Sequence, residues 1–88
     1  MRTIHKYELG GVVNPIPTYE GARWLHVGNQ RERITVWAQV DTDQPHTTKL
    51  LWVVGTGQPI PDRATVPVGS AIFRGGEFVF HVFGEDES

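Results

Sequence analysis

The chain has 88 residues, enough for one modest hydrophobic core and too few for two. Its net charge of −2, with no basic cluster, excludes broad electrostatic attraction to nucleic acid or to an anionic membrane surface. Cysteine is absent, which excludes disulfides and thiolate metal sites and fits a reducing compartment. No stretch approaches the roughly 18 to 20 apolar residues of a spanning helix. The opening MRTIHKYELGG has no apolar run of the kind a signal peptide carries. The expectation is one soluble cytoplasmic domain over residues 1–84, followed by a frayed acidic tail over 85–88.

Taken in order, RTIHKYEL (2–9) alternates Thr3, His5 and Tyr7 against Arg2, Ile4, Lys6 and Glu8. One face is largely charged, the pattern of an edge strand. Gly10-Gly11 ends it. In VVNPIPTY (12–19), Pro15 and Pro17 each remove a ladder donor and confine the segment to an edge or a bulge. A turn at Glu20-Gly21 leads to ARWLHV (22–27), where strict alternation puts Ala22, Trp24 and His26 on one face. The polar run Gly28 to Arg33 then turns the chain.

The centre of the sequence is the segment Arg33 to Pro61. In RITVWAQV (33–40), Ile34, Val36, Ala38 and Val40 form a core face, and Thr35, Trp37 and Gln39 form the opposite one. KLLWVV (49–54) is apolar almost throughout, as suits a central strand covered on both faces. The loop DTDQPHTT between them predicts an antiparallel hairpin. GTGQPIP (55–61) reads as a turn, and Asp62 to Thr65 as a loop. VPVGSAIF (66–73) and EFVFHVF (77–83) resume alternation, with Gly75-Gly76 marking a two-residue hairpin turn. No segment has sustained helical periodicity. The fold class is all-β: a small antiparallel barrel or sandwich of six to seven short strands.

The chemistry-bearing residues are sparse. GTGQPIP places Gly55 and Gly57 after an apolar strand, where backbone N–H groups could approach a phosphate. A P-loop also needs a lysine and an ensuing helix, which Pro59 and Pro61 oppose, so a rigid turn is the stronger reading. His5, His26, His46 and His81 have no metal-ligand spacing. The loop holding Asp41, Asp43 and His46 lacks the glycine and terminal glutamate of an EF-hand. Ser70 is the one serine inside a predicted strand, and an arrangement of Ser70, His81 and a carboxylate would lack a nucleophile elbow. The sequence therefore predicts no enzyme, no cofactor and no metal.

Aromatic residues say more. If the faces bearing Trp24 with His26, Leu50 with Trp52, and Trp37 align, they form a surface of tryptophans with polar groups between. Such a surface suits a protein contact or the stacking of a base. The alternative is that Trp24 and Trp52 fill the core. The candidate binding surface is Trp37, Thr35 and Gln39, together with Gly55, Thr56, Gly57, Gln58 and Pro59.

Four segments, MRTIHKY (1–7), VWA (36–38), GTGQPI (55–60) and HVF (81–83), resemble a family of small uncharacterised proteins from tailed bacteriophages and prophages. The resemblance spans nearly the whole chain. It implies a phage or prophage origin and action in the cytoplasm of a bacterial host or in the virion, and it supplies no activity. Joined to the residue-level reading, it predicts a non-enzymatic accessory protein that binds a host or phage protein, or a second copy of itself. The competing expectations are a nucleotide-type ligand binder, using the Gly55 turn for phosphate and a tryptophan for the base, and a minor structural component of the phage.

Overall fold

A computed structural model describes residues 1–86. Seven strands follow one another: β1 Arg2–Leu9, β2 Val13–Tyr19, β3 Arg23–Gln30, β4 Arg33–Asp41, β5 His46–Gly55, β6 Val66–Phe73 and β7 Phe78–Gly84. A single 3-10 turn, Arg74–Gly76, separates the last two. The strands form two antiparallel sheets, ordered β1-β4-β3 and β2-β5-β7-β6. The result is a β-sandwich and not a closed barrel. β1 and β2 are edge strands, as their charges and prolines lead one to expect.

The core follows from alternation. β4 sends Val36, Ala38 and Val40 inward, all buried, and Leu51 of β5 and Val82 of β7 meet them from the other sheet. Each of the buried valines and Leu51 contributes about 1.5–3 kcal/mol by leaving water. β5 is covered on both faces, as its unbroken apolar run requires: Leu51 lies between the sheets, while Trp52 and Val54 are buried on the other side. One lateral opening is closed by a 2.9 Å hydrogen bond between the hydroxyls of Tyr7 and Thr18. The other is closed where β3 meets β6: Asn29 Nδ2 donates to the Ile72 carbonyl at 3.3 Å, and Gly69 packs against Val27.

The connections depart from the sequence expectation in three places. β4 and β5 do not form a hairpin; the chain crosses between sheets at Asp41–Pro45, so β4 pairs with β1 and β3 while β5 pairs with β2 and β7. Alternation could not distinguish these, because a turn and a crossing loop are built from the same polar residues. The crossing is braced by the Asp43 N–H donating to Asp41 Oδ1 at 3.0 Å, which with the Met1 ammonium holds that carboxyl below its ordinary range. Secondly, β3 extends through Gly28 to Gln30, leaving a true two-residue hairpin turn at Arg31-Glu32. Thirdly, the β6–β7 turn spans four residues, Arg74 to Glu77, closed by the Phe73–Phe78 pair. Arg74, Gly75 and Gly76 all have positive φ there, so the glycines do supply the left-handed backbone.

A β-bulge in β3 shifts its register between Trp24 and His26. Leu25 is the extra residue, and everything after it changes face. A second irregularity in β6 lies between Pro67 and Gly69, so strict alternation there holds only from Gly69 onward. The expected frayed tail is tied down at its start, with Arg63 gripping Glu85 and the Asp86 N–H donating to Thr65 Oγ1. Glu87 and Ser88 lie outside the described residues.

Candidate functional site

The three tryptophans go to three different environments. Trp24 faces inward and packs against both core clusters, edge-on to Tyr7 with ring centroids 6.2 Å apart. Trp52 points away from the sheet interface yet is only 4% exposed, because the segment after β5 folds back over it. Arg63 lies over its ring, 5.8 Å from the centroid, and Ala64 beside Arg63 is buried. Trp37 also points away from the interface, since its neighbours Val36 and Ala38 are fully buried, but it remains half-buried with no roof of this kind. The joint tryptophan surface allowed by the sequence does not form.

Around Trp37 the register sets out a compact patch. Lys6 of β1 and His26 of β3 flank Trp37 in one row, and Glu8, Thr35 and Gly28 form the next. The bulge at Leu25 turns His26 outward, where its ring tilts against that of Trp37 at a centroid distance of 5.7 Å. Strict alternation had placed His26 beside Trp24; the bulge separates them. Gly28 lies beneath the two rings: a Cβ there would stand 3.3 Å from His26 Nε2 and 3.5 Å from Trp37 Cζ3. Lys6 Nζ donates to Gln30 Oε1 at 2.7 Å, bridging β1 and β3 across Thr35, which has no exposed surface. Ile4 and Leu25 stand exposed on β1 and β3. Two aromatic rings framed by aliphatic and charged groups are what a contact surface needs.

Thr35, Trp37 and Gln39 therefore share one outer face, with Thr35 sealed beneath its neighbours and Gln39 partly open. Gly55, Thr56, Gly57, Gln58 and Pro59 belong elsewhere. They leave the end of β5 in the other sheet as a tight turn, with the Gln58 N–H donating to the Gly55 carbonyl at 3.0 Å and Gly57 at φ 88°. The two halves of the expected surface are not brought together, and a ligand held jointly by Trp37 and the Gly55 turn has no site of that form.

One member of the turn does meet chemistry. Thr56 Oγ1 lies 2.8 Å from His81 Nε2, and Ser70 Oγ lies 2.7 Å from His81 Nδ1. The network is satisfied if Ser70 donates to Nδ1, Nε2–H donates to Thr56, and Thr56 donates to the Val79 carbonyl. Nucleophilic triads place a carboxylate at the second nitrogen to stabilise the imidazolium; here a neutral hydroxyl occupies that place. The cluster ties β5, β6 and β7 together across one face. His5 and His46 instead flank Tyr19, at 6.0 and 4.8 Å between centroids. Among the described residues, no three His, Asp or Glu side chains converge as a metal site would require. No helix in them is long and apolar enough to cross a membrane.

A family described as a domain of unknown function, DUF7352, matches residues 1–88. The chain belongs to the DUF7352 family. No curated protein and no solved structure matches it. For this DUF7352 domain the site must accordingly be argued from its own geometry. Sequence reasoning found Trp37 but missed its partners His26 and Gly28. The glycine inside an otherwise good strand pattern was the available signal, because such a glycine marks a bulge or a close approach.

Proposed function

We propose that the domain acts by binding, as a non-enzymatic accessory protein of a tailed phage or prophage whose partner is a host or phage protein. The observation that carries the reading is the contrast between two outward tryptophans. Trp52 is roofed by the chain's own 56–65 segment, whereas Trp37 is left half-open beside His26. A large aromatic group held rigidly on a sheet and not covered from within offers contact area at low entropic cost. The mixed charges around it, from Lys6, Glu8 and Arg23, suit a polar rim. The phage setting rests on the four segments that resemble phage proteins.

The test is affinity capture from bacterial host lysate with the wild-type chain and with a Trp37→Ser, His26→Ser variant, alongside light scattering of each. A defined partner, or a second copy, should be held by the wild type and at least about tenfold more weakly by the variant. The variant should keep the wild-type circular dichroism spectrum. A strict monomer that captures nothing, or a partner held equally by both chains, contradicts the proposal.

A further inference from the structure

Near the crossing loop, the rings of His5, Tyr7 and Tyr19 pack on one another beside the Ala22, Ala38 and Val40 cluster. At the opposite end, where the β3–β4 and β6–β7 turns lie, the inward side chains of the two sheets face each other across a cleft of ≈ 580 Å³. Leu9 and Ile34 line it from the three-stranded sheet, and Phe73, Phe78 and Phe80 from the four-stranded sheet. These are core positions by parity, yet Phe78 is 44% exposed. A volume of this size, walled by apolar and aromatic groups, is that of a small-molecule site.

The lips of the cleft are polar and strained. Glu32 comes from the β3–β4 turn, Arg33 from the start of β4 and Arg74 from the β6–β7 turn. The non-glycine residues with positive φ among the described residues are Arg31 (54°), Glu32 (62°) and Arg74 (49°), and all lie in these two turns. Backbone strain of this kind concentrates where side-chain placement matters. Arg74 makes no ion pair among the described residues; its guanidinium lies 5.6 Å over the Phe78 ring at the mouth. Arg33 has only a long contact of 3.7 Å to Glu8. Apolar walls and a rim of two arginines with one carboxylate, Glu32, leave a net positive charge at the mouth, which suits a ligand with an apolar body and an anionic head.

We propose that this cleft binds a small anionic amphiphile, a medium-chain carboxylate whose tail lies between the sheets and whose head meets Arg74 and Arg33. Isothermal titration of the full chain with sodium octanoate, and separately with 1-octanol, tests it. Octanoate should bind saturably at one per chain, and both 1-octanol and the Arg74→Gln variant should weaken binding by about tenfold. Ile34→Phe, which fills the cleft, should abolish it. The unliganded melting temperature of Arg74→Gln should match the wild type, separating a lost contact from a lost fold. Absence of saturable octanoate binding, equal affinity for the alcohol, or unchanged affinity in Arg74→Gln would overturn the proposal. So would self-association that buries Phe78 and excludes octanoate, since the cleft would then belong to a second copy.

Discussion

Arg31 and Glu32 show how a single pair of residues holds a shape that their own chemistry resists. A two-residue hairpin turn of type I′ twists with its strands and needs positive φ at both central residues, which these have, at 54° and 62°. Asparagine and glycine accept that backbone; arginine and glutamate do so at a cost of about 1 kcal/mol each. The neighbouring Asn29 offsets part of it, its Oδ1 accepting from the Glu32 N–H at 2.9 Å. Replacing the pair by Asn-Gly should raise stability by about 1–2 kcal/mol, read as a higher denaturation midpoint with an unchanged slope. An unchanged or lowered midpoint would show that the strain is not there. The turn itself was legible in the polar run from Gly28 to Arg33. Its tightness was not, because nothing in arginine or glutamate announces a left-handed residue.

Individual elements were readable where one face is fully buried. In β4, burial of Val36, Ala38 and Val40 leaves no alternative register, since a slip of one residue would put Trp37 and Gln39 into the core. β3 was misread because its bulge sits in the middle of a plausible alternation, Trp24–Leu25–His26. The structure resolves the conflict by leaving Leu25 50% exposed, so that both Trp24 and Val27 reach the core. Deleting Leu25 would keep Trp24 opposite Ala38 and Val27 opposite Val36, whereas deleting Gln39, which lies in unbroken register with β1, would put Ala38 and Val40 on opposite faces. The Leu25 deletion should change stability by less than about 2 kcal/mol, and the Gln39 deletion should cost at least about 3 kcal/mol. Chemical denaturation of the two variants measures the difference, and similar costs would contradict the bulge. The β4–β5 crossing escaped sequence reasoning for another reason. Pairing partners are set by which inward faces meet, such as Val36 with Leu51, and local patterning carries no record of that choice.

At the scale of the whole molecule, the two sheets are treated differently by the rest of the chain. On the outer face of the four-stranded sheet, Arg63 caps Trp52 and the Thr65 N–H donates to the Gly84 carbonyl at 3.0 Å. Among the described residues, no cation caps the Trp37 ring on the three-stranded sheet in this way. That sheet presents Trp37, His26 and the Lys6–Gln30 bridge instead. The proposed recognition surface rests on this asymmetry. The sequence revealed the all-β class and the outward Trp37 through alternation. It could not reveal which outer face would be roofed, since that depends on where a loop of prolines and glycines comes to rest.

Acrylamide quenching of single-tryptophan chains, each keeping Trp37 or Trp52 with the other two replaced by phenylalanine, tests this difference directly. The chain retaining Trp37 should be quenched several-fold more strongly than the chain retaining Trp52, which is 4% exposed. Equal protection of the two indoles would mean that Trp37 is covered from within the chain, and the surface assigned to recognition would not exist.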